Sequence, residues 1–217
     1  MTVVTRIPLF PLGVVLFPEV MLPLHIFEER YKEMIGECLE GDREFGVVHY
    51  DGTAMLTKGC TARVIRVLKR YPDGRMDILT QGERRFEIEG LHEEKSYMES
   101  SVRFFDDEEE EPTEKMQALA REGVDLLMQV EDVAEKQIGR DLGEQLDPKV
   151  ASFLMASSDG FTAEEKQGFL AMTSTRDRLE KGVRSLRKIL ERMRLTKQIK
   201  HIISGNGHVL KLSKRLE

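Results

Sequence analysis

The chain has 217 residues, 40% hydrophobic and 33% charged, which is enough for one large folded domain or two small ones and too apolar for a disordered chain. Its net charge of −6 is unevenly spread, at −3 over residues 1–105, −12 over 106–174 and +9 over 175–217. That balance argues against a nucleic-acid surface in the first half and predicts that the acidic middle and basic end attract one another across packed helices.

Residues 7–31 read IPLFPLGVVLFPEVMLPLHIFEERY, an apolar run broken by Pro8, Pro11, Pro18 and Pro23. Proline restricts itself and its predecessor, so the run is a set of short extended pieces, too broken to span a bilayer or to serve as a secretory leader. A cytoplasmic protein without a membrane segment is expected. Strands are predicted over residues 12–17 and 20–24, the first apolar at every position and so centrally placed. From Glu28 the period changes. Phe27, Tyr31, Met34, Ile35, Cys38 and Leu39 form one helical stripe that Gly41 can terminate.

Residues 45–50 read as a strand followed by an Asp51-Gly52 turn, and 62–71 as another. Pro72-Asp73-Gly74 supplies a hairpin turn into 76–80, and Gln81-Gly82-Glu83 is read as a further turn before 85–89. A last strand covers 97–105, with Met98, Val102 and Phe104 on one side. Cys38 and Cys60 are assigned to the core rather than to a disulfide.

Six consecutive acidic residues, 106–111, then Pro112, read as a hydrated linker between two subdomains. Beyond it Met116, Leu119, Ala120, Gly123, Leu127, Val130, Ala134 and Ile138 keep helical spacing to about Arg140. Asp147-Pro148 opens a short helix, and Thr162 with Glu165 forms a capping box for another. Ser174 caps the longest helix, whose apolar phase shifts near Arg194 and which Ser204-Gly205-Asn206-Gly207 should end. The division is therefore a β-barrel subdomain at 1–105, an acidic linker at 106–112, a helical subdomain at 113–204 and a tail at 205–217. The fold class is α+β, a partly open β-barrel with one inserted helix, similar to PUA-like barrels, followed by an all-helical subdomain.

Signals for catalysis are absent from the sequence. No glycine loop ends in Gly-Lys-Ser or Gly-Lys-Thr, so no phosphate cradle or nucleotide cofactor is expected. His25, His49, His92, His201 and His208 show no metal-ligand spacing, and Ser157-Ser158 and Ser213-Lys214 have no base placed beside them. No cofactor, metal or catalytic residue is assigned.

The opening run, then CLEGDREFGVV and DGRMDILTQGERRFEI, resembles in wording and order the amino-terminal substrate-binding domain of the Lon ATP-dependent proteases. The resemblance spans nearly the whole chain and is most specific at those three places. Glu29 departs from the family's usual proline, residues 51–57 are shorter than many relatives' loop, and the ATPase and Ser-Lys protease modules of a complete Lon are not in the sequence. A stand-alone substrate-binding domain is therefore expected, one that is not an enzyme.

The resemblance implies a module that binds unfolded or exposed protein segments, in protein quality control or as an adaptor, with a protease or a second copy of itself as a further partner. His25, Phe27, Tyr31, Arg84, Arg85 and Phe86 lie in its signature stretches and are the candidate binding residues. Read from the residues alone, His25 has its ring nitrogens satisfied by backbone, and one of Arg84 and Arg85 pairs with Glu28 or Glu83. Met116, Met128, Met155, Met172 and Met193 offer adaptable apolar surface in the helical half, and an open barrel offers a strand edge. The alternative is an RNA-binding PUA-like module using Arg184, Arg187, Lys188, Arg192, Arg194, Lys197 and Lys200 of the last helix, against which the charge of the barrel half argues.

Overall fold

A computed structural model of the chain describes residues 5–131 and 146–212. The elements are β1 (Thr5–Leu12), β2 (Met21–Ile26), α1 (Glu29–Glu40), β3 (Phe45–Tyr50), β4 (Met55–Arg70), β5 (Met76–His92), β6 (Glu99–Phe105), α2 (Glu114–Glu131), α3 (Pro148–Ala156), α4 (Ala163–Leu170) and α5 (Thr175–Leu212). β5 pairs with β2, β4 and β6, while β6 also pairs with β1, β1 with β3 and β3 with β4. The sheet thus curls round on itself and, among the described residues, leaves β2 hanging from β5 alone. It is a partly closed sheet rather than a regular barrel, because β1 divides its pairing. Its residues 5–8 run antiparallel to β6 and its residues 9–12 parallel to β3.

That division explains one failed expectation. The first strand is not 12–17 but Thr5–Leu12, with Pro8 and Pro11 inside it. Each half of β1 pairs mainly on one side, and a strand with an unpaired side tolerates residues that lack an N–H. Residues 13–20 turn away from the sheet and carry Leu16 and Phe17 into the core, where Phe17 meets the Phe153 ring of α3 at 6.3 Å between centroids. Gly82 is no turn either, since β5 runs straight through it. Its N–H donates to the Val20 carbonyl at 2.9 Å, its carbonyl accepts from the Glu19 N–H at 2.8 Å, and the Phe17 carbonyl fills the space a Cβ would need. The hairpin at Pro72-Asp73-Gly74 forms as read, with Gly74 at φ +82.

The helix signals of the second half are largely met. The Asp147 side chain accepts from the Lys149 N–H at 2.7 Å, Thr162 and Glu165 cap reciprocally, and Ser174 accepts from the Asp177 N–H at 3.1 Å. The helix α5 continues past Ser204 to Gly207 as far as Leu212, so those residues belong to it and not to a tail. Glycine weakens a helix by about 1 kcal/mol per residue but keeps its N–H, so it need not stop one. Ala134 and Ile138, assigned to α2, lie outside the described residues. The pairs Lys115–Glu180, Glu122–Arg187 and Gln129–Arg194 all span 65 residues and recur every seven, so α2 and α5 lie parallel in heptad register.

The acidic stretch is not uniformly hydrated. The Asp107 side chain is 4% exposed and joins Arg85 of β5 to Arg178 of α5, both fully buried. The Glu108 N–H donates to the Thr173 carbonyl, and the Glu110 carboxylate accepts from the Ser174 hydroxyl at 2.7 Å and the Arg176 N–H at 3.0 Å, at the N-terminus of α5. Carboxylates are stabilised there by the helix's unpaired N–H groups, which offsets the repulsion within the run. One hydrophobic core runs from the sheet interior through α1 into α2, α3 and α5.

Candidate functional site

The turn from β2 into α1 shapes an apolar cavity. β2 is extended through Ile26, Glu28 is still extended at φ −75 and ψ 139, and α1 starts only at Glu29. Phe27 therefore falls just before the helix and not on its stripe, and it is 58% exposed instead of packing beneath the helix. Tyr31 and Ile35, one and two turns into α1, are buried as their spacing predicts. Between them a cavity of about 640 Å³ opens, walled by Phe10, Leu24, Phe27, Tyr31, Met55 and Met98. Phe10 stacks on Tyr31 with ring centroids 4.1 Å apart, which fixes the floor.

His25 stands at the rim. Its Nδ1 lies 2.5 Å from Asp77 Oδ1, so a carboxylate on the neighbouring strand, and not backbone, satisfies the ring. The Tyr71 hydroxyl donates to the other Asp77 oxygen at 2.9 Å. These hydrogen bonds, from His25 first and then Tyr71, hold the Asp77 carboxyl below its ordinary range. Phe27 stacks on the His25 ring at 5.9 Å, and Tyr71 approaches the same ring edge-on. The rim is thus an aromatic cluster centred on His25, which Asp77 and Tyr71 brace and on which Phe27 stacks.

His25, Phe27 and Tyr31 thus meet at one cavity, and the other three sequence candidates do not join them. Arg84 and Arg85 border a second cleft of about 400 Å³ with Phe104, Phe105, Phe153 and Lys149. Arg84 pairs with Glu44 and lies over the Phe104 ring, while Arg85 pairs with Asp107 and donates to the Leu170 and Met172 carbonyls. Neither pairs with Glu28 or Glu83, whose partners are Arg30 and Arg63. Phe86 is fully buried with Ile7, Leu9, Val48 and Val102 in a small satellite core, where no ligand reaches it without rearrangement.

Sequence reasoning missed Phe10, Tyr50, Met55 and Met98 of the first cavity and Asp77 behind its histidine. They arrive from different strands, and no local periodicity links them. Of the methionines assigned to adaptable surface, Met116 and Met155 are buried core, Met172 and Met193 pack against it, and Met128 is exposed. Cys38 and Cys60 are buried free thiols; burial pushes Cys38 up to about 11 and Cys60 up further, so neither is a poised nucleophile. Among the described residues no group of three potential ligands could hold a metal, and no helix is long and apolar enough to cross a membrane. On α5, Arg187 is engaged by Glu122.

A partly closed mixed sheet with an inserted helix, backed by helices and bearing an apolar cleft at the strand-to-helix junction, defines an α+β, PUA-like domain. The chain belongs to the family described as the ATP-dependent protease La (LON) substrate-binding domain, whose model matches residues 6–188. It is 26% identical to a Lon protease of Flavobacterium johnsoniae over 206 residues, covering 89% of this chain and 25% of that protein. The chain thus spans about a quarter of the length of the curated relatives it matches. Its fold is similar to that of a Lon N-terminal domain protein from Xanthomonas campestris, at 21% identity and TM-score 0.62, covering 82% of this chain and 96% of that one. It is also similar to the N-terminal domain of the Mycobacterium avium complex Lon protease, at 17% identity and TM-score 0.65, with coverages of 84% and 98%.

Proposed function

We propose that this chain is a non-catalytic recognition module that captures exposed or unfolded protein segments, in protein quality control or as an adaptor. The observation that carries the reading is the apolar cavity with Phe27 held in water at its mouth. Covering a phenylalanine of that exposure gains on the order of 1–2 kcal/mol per apolar side chain engaged, without the chain having to rearrange first. His25 and Asp77 on the rim supply polar groups beside the apolar wall, a mixture suited to peptide rather than to lipid. In this reading the chain contributes capture and positioning in the cytoplasm, and cleavage is the work of a partner protease.

The test is binding of casein, a natively disordered protein, followed by fluorescence anisotropy. Phe27→Ser should weaken binding at least about tenfold while leaving the melting temperature unchanged, because the side chain is mostly in water. Affinity should fall by less than about tenfold between about 50 and 200 mM salt, whereas RNA held by the basic residues of α5 would lose on the order of a thousandfold. Casein binding indifferent to Phe27→Ser overturns the reading.

A further inference from the structure

We propose that β2 takes up an extended, apolar polypeptide segment with a basic end as an added strand along its outer edge, a mode of capture that rests on the reading above. The hydrogen-bond parity of β2 decides which groups are available. The Gly82 N–H donates to the Val20 carbonyl, and the register continues unbroken from Met21 opposite Gln81 to Ile26 opposite Met76. Antiparallel pairs alternate between bonded and non-bonded, so Leu22, Leu24 and Ile26 direct their N–H and C=O groups to β5. Met21, Pro23 and His25 direct theirs outward. Proline fits this assignment, since on the outward positions its missing N–H costs the ladder nothing. Among the described residues no strand other than β5 pairs with β2.

The outer edge therefore presents the N–H groups of Met21 and His25 and the carbonyls of Met21, Pro23 and His25 to an incoming backbone. Met21 is 50% exposed, and Pro23 and His25 are exposed beside it. An apolar recess lies at each end of this edge. At the far end is the cavity lined by Leu24, Ile26 and Phe27. At the near end is a cleft of about 360 Å³ between β2 and the helices, lined by Val20, Leu22, Leu127, Met128 and Leu154. The two ends, Met21 and His25, are about 13 Å apart at the usual strand rise, so one added strand reaches both recesses with side chains four residues apart. Among the described residues the near cleft also carries the carboxylates of Glu19, Glu131 and Asp159 against the ammonium of Lys166, which favours a partner carrying lysine or arginine there.

The experiment uses the full chain and the synthetic peptide Lys-Leu-Thr-Leu-Thr-Leu-Lys. Two N-methylated forms, one methylated on the leucine amides and one on the threonine amides, remove alternate backbone donors and keep every side chain. Strand addition predicts that one form loses at least about tenfold in affinity and the other stays within about twofold, because only alternate amides face the edge. Hydrogen exchange at Met21 and His25 should slow at least about tenfold with saturating peptide, while Leu22 and Leu24 stay as they were. A peptide with glutamate in place of both lysines should bind at least about tenfold more weakly. If both methylated forms bind like the parent and the Met21 and His25 amides do not change, strand addition is wrong and side-chain capture stands. If the parent peptide does not bind at all, both readings fall. Equal affinity for the glutamate-ended peptide overturns the basic-ended partner. If Met21→Pro turns a sedimenting dimer into a monomer and leaves peptide affinity unchanged, a second copy of the chain holds the edge and the proposal is overturned.

Discussion

Replacing Asp107 by asparagine keeps the shape of the side chain and removes the one buried charge that two guanidiniums share. Arg85 and Arg178 are fully buried, the Asp107 side chain is 4% exposed, and the carboxylate bonds to both arginines and to the Thr175 hydroxyl at 2.7 Å. After the substitution Arg85 still has the Leu170 carbonyl at 3.0 Å and the exposed Asp106 carboxylate at 3.8 Å, and Arg178 still has the Ser152 hydroxyl at 2.8 Å, but neither has a buried anion. Removing one side of a buried ion pair costs about 3–5 kcal/mol, roughly a fifth or more of a typical domain's stability. Urea titration followed by circular dichroism reads this directly, and a loss below about 1 kcal/mol would refute the reasoning. Acid supplies a second check. Burial pushes the Asp107 carboxyl up, but the hydrogen bond and charge of Arg178, the Thr175 hydroxyl and the charge of Arg85 outweigh it and hold the carboxyl below its ordinary value. A group depressed on folding contributes its full stability above its unfolded pKa, near 4, and loses it as pH falls through the folded value. The gap between the native chain and Asp107→Asn should therefore be widest near neutrality and shrink below about pH 4. A gap that does not change with pH would show that the carboxylate charge is not what the site depends on.

Three further substitutions probe the fold itself. Phe17→Ala, at a fully buried ring against Phe153, should cost about 3–5 kcal/mol by denaturant titration, and a cost under 1 would remove it from the core. Gly82→Ala should cost at least about 2 kcal/mol, because the methyl group collides with the Phe17 carbonyl, which cannot move without breaking the junction into β2; an unchanged melting temperature would contradict that packing. Thr162→Ala should lose about 1 kcal/mol through the cap of α4, and Thr162→Ser much less; equal losses would mean that the methyl group, not the hydroxyl, matters.

What the sequence revealed was what lies within a turn or two along the chain. The Thr162 capping box, the Asp147 cap, the Gly74 reversal and the buried stripe of α1 depend on residues two to seven apart, and all were readable. Phe27 misled because it sits four residues before Tyr31, in phase with a helix that has not yet begun. Gly82 misled because glycine marks both turns and close approaches, and the approaching group, Phe17, is brought there by tertiary folding. The acidic stretch misled for a related reason: six like charges do repel, but Arg85 and Arg178 reach Asp107 from elements on either side of it in sequence. The same limit hid the cavity. Phe10, Tyr50, Met55 and Met98 share a wall only because β1 pairs with β3 and β6 at long range.

The divided pairing of β1 bears on how the chain is born. Both partners of β1 lie downstream, and the contact from Arg6 to Glu99 spans 93 residues, so β1 leaves the ribosome before either neighbour exists. Loop closure over that distance is slow compared with helix formation, which leaves an apolar strand waiting in solvent while most of the sheet is still being synthesised. Pro8 and Pro11 sit in the middle of that waiting strand. Each deletes a backbone donor and holds its own backbone torsion fixed, so two nascent copies of β1 cannot zip together along their length, although each still fits its divided place in the finished sheet. The prolines that make the opening run look unlike a strand thus guard its solubility during synthesis.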